Sequence, residues 1–168
     1  MQNEIVQIIR HLDLKEHPEG GYYKETYRSA GVISQSNLGV NFDGERNYCT
    51  AIYFLLTTNN FSAFHKIKQD ETWHFYKGSS LFVHVIDKEG VYTKHEIGND
   101  FTKGAVPQFT VPAGQWFASS VEAPNSYALV GCTVSPGFDF RDFEIANRQR
   151  LAKVYPQHQN IIKQLTRI

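Results

Sequence analysis

The sequence predicts a mainly β protein, built as an antiparallel sandwich or barrel with helices at its ends. Three observations support this prediction. Short segments of strand-like pattern follow one another at roughly regular spacing, and turns containing Gly, Pro, Asp or Lys separate them. Aromatic residues, which strands favour, make up 14% of the chain. Clear helical spacing of apolar residues is confined to the two ends.

The elements can be placed in order along the chain. A short amphipathic helix is predicted over residues 3–13, and residues 30–47 are polar, glycine-containing and without period, which predicts a long loop. After the last strand, helical spacing predicts one helix capped by Asp139 or Asp142 and a second after Pro156. The predicted strands are 22–29, 48–57, 62–67, 71–76, 80–87, 91–97, 108–111, 116–119 and 126–134.

Composition excludes several classes of partner. The 168 residues predict one domain over 1–168, and 17 basic residues balance 17 acidic ones. This balance gives no electrostatic reason to expect nucleic acid or an anionic membrane as partner. The two cysteines, Cys49 and Cys132, lie in apolar segments and are expected to be buried thiols. No apolar run reaches membrane-spanning length, so a cytoplasmic protein is expected.

The segment FSAFHKIKQDETWHFYKG carries more ionisable side chains than a strand needs in order to fold. Successive residues of a strand point to opposite faces of a sheet. On the first strand of this segment, His65 can face the interior. On the second, an inward Glu71 brings Trp73 and Phe75 with it and puts His74 and Tyr76 on the opposite face. The pattern therefore predicts an aromatic pocket with one imidazole and one carboxylate, a composition typical of small-molecule sites.

The same segment resembles the first signature of the cupin superfamily, His-x-His, three or four residues, Glu, six residues, Gly. Here the spacing is reproduced from His65 through Glu71 to Gly78, and Pro112-Ala113-Gly114 matches the start of the second signature. Further segments resemble the fifth cupin family, a group of small single-domain cupins of largely unassigned function. These segments are HPEGGYYKETYRS, TAIYFLL, VPAGQWFAS, SYALVGCTVSPGFDFRDFEIA and YPQH.

The resemblance implies a double-stranded β-helix, or jelly-roll barrel, with a short N-terminal helix and C-terminal helices. It also implies a homodimer, since barrels of this superfamily commonly pair by exchanging N-terminal strands, and Tyr22–Arg28 is the candidate strand.

The metal site that the resemblance implies is incomplete in this sequence. Metal cupins hold the ion with two His and one Glu of the first signature and one His of the second. Ile67 and Phe117 stand at two of these positions, which leaves His65 and Glu71. Catalytic zinc and iron sites use three protein ligands or more. We therefore expect no tightly bound metal unless another donor is recruited, for which His74 is the candidate.

Other residues are candidates for ligand binding, each with a structural alternative. Alternation on the strand 22–29 puts Glu25 and Arg28 on opposite faces, and Arg28 can bind an anionic group or neutralise Glu25 of a partner strand. Trp116 and Phe117 follow the Pro-x-Gly turn and are expected at the cavity mouth, stacking on a planar ligand. Asp139 is either part of the site or the cap of the following helix.

Three functions remain open from the sequence. The first is a metal-independent isomerase, similar to the sugar-nucleotide epimerases that share this barrel. In it His65, oriented by the Glu71 carboxylate, takes a proton and Tyr53 or Tyr76 returns one. The second is a binding or sensing module without catalysis. The third is a metal-dependent oxygenase or isomerase using His65, Glu71 and His74 or water.

Overall fold

The computed structural model describes residues 2–167. Within this range the predicted mainly β fold, with helices at both ends, is confirmed. The helices are α1 (Gln2–His11), α2 (Arg148–Val154) and α3 (Gln159–Gln164). The strands are β1 (Lys15–Glu16), β2 (Tyr22–Arg28), β3 (Val32–Ile33), β4 (Arg46–Asn47), β5 (Thr50–Thr57), β6 (Phe61–Lys66), β7 (Asp70–Gly78), β8 (Leu81–Ile86), β9 (Tyr92–Ile97), β10 (Gln108–Val111), β11 (Trp116–Ser120), β12 (Tyr127–Ser135) and β13 (Glu144–Ile145).

Two antiparallel sheets form the barrel. The first has the strand order β1-β2-β5-β12-β7-β10, and the second has the order β13-β6-β11-β8-β9. Strands that are distant in sequence therefore pair side by side, as β12 does with β5 and β7. This pairing brings the two strands of the His65 and Glu71 segment into different sheets that face each other.

The apolar core fills the interior between the two sheets. Phe54, Trp73 and Val130 extend from the first sheet, and Val83 and Phe117 extend from the second. Each of these side chains is no more than 1% exposed. Burial of such side chains stabilises the fold by about 1.5–3 kcal/mol each. The alternation of inward and outward residues thus separates a dry core from the outer surface.

Helices cover parts of the outer faces. The apolar side of α1, which includes Ile5 and Ile8, packs against Leu55 and Tyr127 on the first sheet. In the same way, α2 and α3 cover the outer face of the second sheet, where Ile162 joins the cluster that contains Phe64 and Ile86. Residues pointing outward on these strands are therefore partly buried without belonging to the interior.

The prediction of a helix beginning near Asp142 is wrong by several residues. Glu144 and Ile145 form β13 and pair with Lys66 and His65 at the edge of the second sheet. The helix begins only at Arg148, where the side chain of Asn147 accepts a hydrogen bond from the Arg150 amide. Pairing with an open sheet edge has overridden the helical spacing of the apolar residues.

Candidate functional site

The barrel interior contains a cavity of about 330 Å³. Its walls come from the turn 17–21, from β2, β5, β6, β7 and β12, and from the segment 138–143. Four carboxyl groups, two imidazoles, one guanidinium and one thiol line it together with four aromatic rings. Such a concentration of titratable groups in a buried cavity marks the best candidate for a binding or active site.

The central feature of the cavity is a contact between His65 and Glu19. The Nε2 atom of His65 lies 3.1 Å from Oε2 of Glu19, and both side chains are buried. The other ring nitrogen, Nδ1, lies 2.8 Å from the carbonyl oxygen of Ala63. Because a carbonyl can only accept, Nδ1 carries a hydrogen, and in the neutral ring Nε2 is then the acceptor. The contact therefore holds one shared proton.

Burial places that proton on the carboxyl group. It raises the pKa of Glu19 well above its ordinary value, and the nearby Glu71 carboxyl raises it further. Burial also lowers the pKa of His65 to about 3. Both shifts favour the neutral forms of the two groups, with the Glu19 carboxylic acid donating to His65.

The turn that carries Glu19 is fixed by its neighbours. The Glu19 carbonyl accepts a hydrogen bond from the Ala63 amide at 2.8 Å, which ties the turn to β6. Gly20 has a φ of +111°, and a Cβ there would collide with the carbonyl oxygen of Phe61. His17 lies beside Glu19, with Nδ1 3.6 Å from Oε2, and burial lowers the pKa of its imidazole to about 4.

Glu71 is the second buried carboxyl of the cavity, extending from β7. It is 8% exposed, and burial raises its pKa to about 7. The Cys132 thiol of β12 donates a hydrogen bond to it, but no cation among residues 2–167 lies within ion-pair distance of it. Glu71 is therefore present as both acid and carboxylate near neutral pH.

Glu25 and Arg28 stand together at the cavity wall, contrary to strict strand alternation, which puts them on opposite faces. A bulge in β2 lets Glu25 pair with Ile52 and Arg28 with Thr50, so that Thr26 is the extra residue. Arg28 then donates to both carboxylate oxygens of Glu25, at 3.0 and 2.7 Å. The predicted ion pair exists, and it lies within one strand.

Asp139 lines the cavity and also caps a helix, but not the helix predicted for it. It lines the cavity, and its carboxylate accepts from the Arg141 amide at 2.9 Å, capping the short 3₁₀ helix Phe140–Asp142. The helix that it caps is not the longer one that was predicted. The guanidinium of Arg141 also binds both of its oxygens, at 2.9 and 2.8 Å.

Phenylalanines of the same segment form an aromatic wall. Phe138, Phe140 and Phe143 all line the cavity, and their ring centroids lie 5.0 to 6.3 Å apart in edge-to-face arrangements. Tyr23 of β2 adds a ring that meets His17 at 4.5 Å. Phe140 is 52% exposed and therefore marks the cavity mouth.

The tyrosines predicted as proton donors lie elsewhere. Tyr53 and Tyr76 contact each other on the outer face of the first sheet, with ring centroids 6.0 Å apart. Because Ile52 and Phe54 point inward, the residue between them must point outward. A proton donor to a ligand in this cavity must be another residue. His74 lies on the same outer face, where Nε2 is 3.0 Å from Oγ1 of Thr133.

The predicted aromatic ligand contacts also need correction. Trp116 points outward beneath α2, where Lys66 lies 4.6 Å from its ring centroid, so it is not at the cavity mouth. Phe117 points inward, and its ring lies 4.0 Å from that of His65, where it supports the imidazole. Trp73 and Phe75 belong to the apolar core beneath the cavity.

The residues present do not fit the metal site that the resemblance implies. His65 directs Nε2 at Glu19, Phe117 packs on its ring, and Ile67 lines the cavity where a second ligand would stand. Among residues 2–167, no three side chains of His, Cys, Asp or Glu are arranged to hold a metal ion. No step of the function proposed below passes through a metal.

The sequence pattern did not indicate the four rings of the aromatic wall as cavity residues, nor His17, Glu19 and Cys132. The segment 17–21 predicts the end of the N-terminal helix, and its two glycines also indicate a constrained backbone beside His17 and Glu19. Cys132 is a buried thiol, as predicted, and it also interacts with Glu71, whereas Cys49 is only half-buried, contrary to the prediction.

A jelly-roll barrel with a polar cavity and an aromatic wall places this chain in the class of small single-barrel proteins. The particular family follows from its sequence. The family model described as Cupin superfamily (DUF985) matches residues 6–146, and the chain belongs to this family. Its relatives include Uncharacterized protein YML079W of Saccharomyces cerevisiae, 32% identical over 150 residues that cover 83% of this chain and 74% of the yeast protein.

Solved structures are similar over nearly the whole chain. A hypothetical protein from Leishmania major superposes with a TM-score of 0.87 at 39% identity, over 96% of this chain and 97% of that one. Protein SO0799 from Shewanella oneidensis gives a TM-score of 0.86 at 40% identity, covering 96% of both chains. Oxalate decarboxylase from Bacillus subtilis, with a TM-score of 0.54, is 14% identical over 89% of this chain and 36% of its own, and shows the fold alone.

In the described part of the chain, no helix is both long and apolar enough to cross a membrane.

Proposed function

We propose that the cavity binds a small polar molecule of about monosaccharide size and transfers a proton within it. The observation that supports this most strongly is the proton shared by Glu19 and His65 beside a second buried carboxyl, Glu71. A cavity of 330 Å³ holds one sugar ring. In a sugar nucleotide, the nucleotide part would remain outside the mouth at Phe140.

The carboxyl groups of Glu71 and Glu19 have different roles in the proposed reaction. Glu71, with a pKa of about 7, is matched to neutral pH as a general base and can return the proton as an acid. It takes a proton from a carbon next to a carbonyl group, and the electron pair of that C–H bond moves onto the carbonyl oxygen. Glu19 has one O–H as a carboxylic acid. His65 orients it in the free protein, and when the ligand binds this O–H turns from Nε2 of His65 and donates to the ligand oxygen instead. Return of the proton at a different face or carbon gives an isomer.

Deuterium exchange tests this proposal. In D₂O, the protein is incubated with simple sugars, amino sugars and sugar nucleotides, and incorporation at carbon is followed by NMR. We expect Glu71→Gln and His65→Gln to lower exchange at least about 100-fold, the usual size of general acid–base effects. Tyr76→Phe, on the outer face, is the matched control and retains exchange. Exchange that survives both cavity variants contradicts the proposal.

A binding module without catalysis is the second candidate. It is favoured by one observation: His65 is 2% exposed and both of its ring nitrogens already have partners. In that case a ligand is retained unchanged after long incubation and shows no exchange. A metal-dependent oxygenase or isomerase has less support because the donor groups within residues 2–167 do not converge.

We also propose a homodimer formed by exchange of N-terminal strands. In the chain itself β2 lies between β1 and β5, and a partner's β2 can take the same position beside β5. Gly20 and Gly21, both with positive φ, precede this strand and permit a change of chain direction. We expect light scattering to give twice the 19.2 kDa of one chain. A mass of one chain contradicts the dimer.

A further inference from the structure

We propose that the molecule bound in the cavity carries a basic nitrogen, and that its ammonium group lies against Glu71. An amino sugar or another small polar amine is the ligand class. This inference rests on the proposed ligand-binding function of the cavity and adds the charge of the ligand. An ammonium group held by one oxygen of Glu71 leaves the other oxygen to act as the base.

The charges of the lining residues are unbalanced. Four carboxyl groups face one guanidinium, that of Arg28, and Arg28 is already bound to Glu25 through both oxygens. Asp139 is bound by Arg141 in the same way. Glu19 and Glu71 are left, and Glu19 has its partner in His65.

Glu71 is therefore the one lining carboxyl without a charged or imidazole partner among the described residues. Its exposed fraction is 8%, so it is 92% buried, and it lines the cavity. The thiol of Cys132 is its hydrogen-bond donor, and a thiol is a weak one. A buried carboxyl group in this position is costly unless a ligand supplies a donor. An ammonium group supplies both the donor and the opposite charge.

The aromatic wall favours the same ligand class. Phe138, Phe140 and Phe143 line the cavity together with Tyr23. Aromatic rings attract cations through their quadrupole, and cavities with several rings and a carboxylate recognise alkylated amines. An anionic ligand, by contrast, would face four carboxyl groups, and no cation among the described lining residues is free to bind it.

The pH dependence of binding follows from the site. Glu71 faces Glu19 from the turn, Cys132 from β12, and the lining groups His65, Glu25 and Arg28. An ammonium ligand requires the carboxylate form of Glu71. Its affinity is expected to fall about tenfold for each pH unit below 7, because the carboxyl must then release a proton first.

Matched pairs of amine and neutral ligand test the proposal by calorimetry and ligand-observed NMR. Glucosamine is compared with glucose, and butylammonium with butanol, at pH 6 and pH 8. We expect the amine of at least one pair to bind at least tenfold more tightly than its neutral partner at pH 8. Glu71→Gln is expected to remove this preference, whereas Glu144→Gln on the surface is expected to keep it.

The outcomes separate this inference from the proposed function. Equal or tighter binding of the neutral partner overturns the amine proposal and leaves a ligand-binding cavity. An amine preference that persists in Glu71→Gln also overturns it. Failure of every amine and every neutral probe to bind overturns both.

Discussion

Replacing Arg46 with methionine is expected to lower the free energy of unfolding by about 3–5 kcal/mol. Arg46 donates to both oxygens of Asp142 at 2.7 Å, and the two side chains are 1% and 0% exposed. The same guanidinium donates to three carbonyl oxygens of residues 43–45. Without Arg46, Asp142 remains as a buried charge with Gln69 and the partly exposed Lys68 as partners.

Urea unfolding at pH 7 measures this effect, because the midpoint and slope together give the free energy. The control is Lys103→Met, which removes an exposed ion pair with Asp100 and is expected to leave the unfolding midpoint nearly unchanged. Since Arg46 closes the segment 30–47 onto the barrel, limited proteolysis there is expected to quicken. An Arg46→Met protein within 1 kcal/mol of the parent would refute the structural role of the pair.

As pH rises, the Glu71→Gln protein is expected to gain unfolding free energy relative to the parent protein. The folded pKa of Glu71 is about 7, above its ordinary value of 4.5, so between these values the folded state binds more protons than the unfolded state. The stabilisation that Glu71 contributes through its raised pKa is fully present below pH 4.5 and is lost as pH rises through about 7. The shift corresponds to about 3 kcal/mol, at about 1.36 kcal/mol per pKa unit. Glutamine has no such titration.

The measurement is the difference in unfolding free energy between the two proteins at several pH values from 4.5 to 8. Buried His65 and His17, whose pKa values are lowered, add a slope of opposite sign, but both proteins share it and it cancels in the difference. For Glu144→Gln on the surface, the difference in unfolding free energy from the parent is expected to stay constant with pH. A difference that stays constant with pH would show that Glu71 is not a buried carboxyl of raised pKa.

The strands were predictable because their signal is local. Alternation within the segment 61–78 correctly placed His65 and Glu71 inside the barrel and His74 on the outer face. The family resemblance added the jelly-roll barrel, which alternation alone cannot give. Burial of inward residues maintains this pattern, since a shift of one residue would expose the whole inward set.

Predictions failed where backbone irregularity or a distant partner decides the outcome. Alternation predicted opposite faces for Glu25 and Arg28, whereas the bulge at Thr26 places both at the cavity. Helical spacing predicted a helix through Glu144, whereas an open strand edge recruited that residue. Both outcomes depend on hydrogen bonds to strands far away in sequence.

By itself, the sequence determined a mainly β barrel, its strands, and the inward direction of His65 and Glu71. Only the tertiary structure decided which groups these two side chains contact. Glu19 reaches His65 across 46 positions of sequence, because a glycine turn folds back onto β6. The shared proton, the raised pKa of Glu71 and the aromatic wall all follow from burial beside such distant partners. Burial is a property of the closed barrel, and no local pattern of residues specifies it.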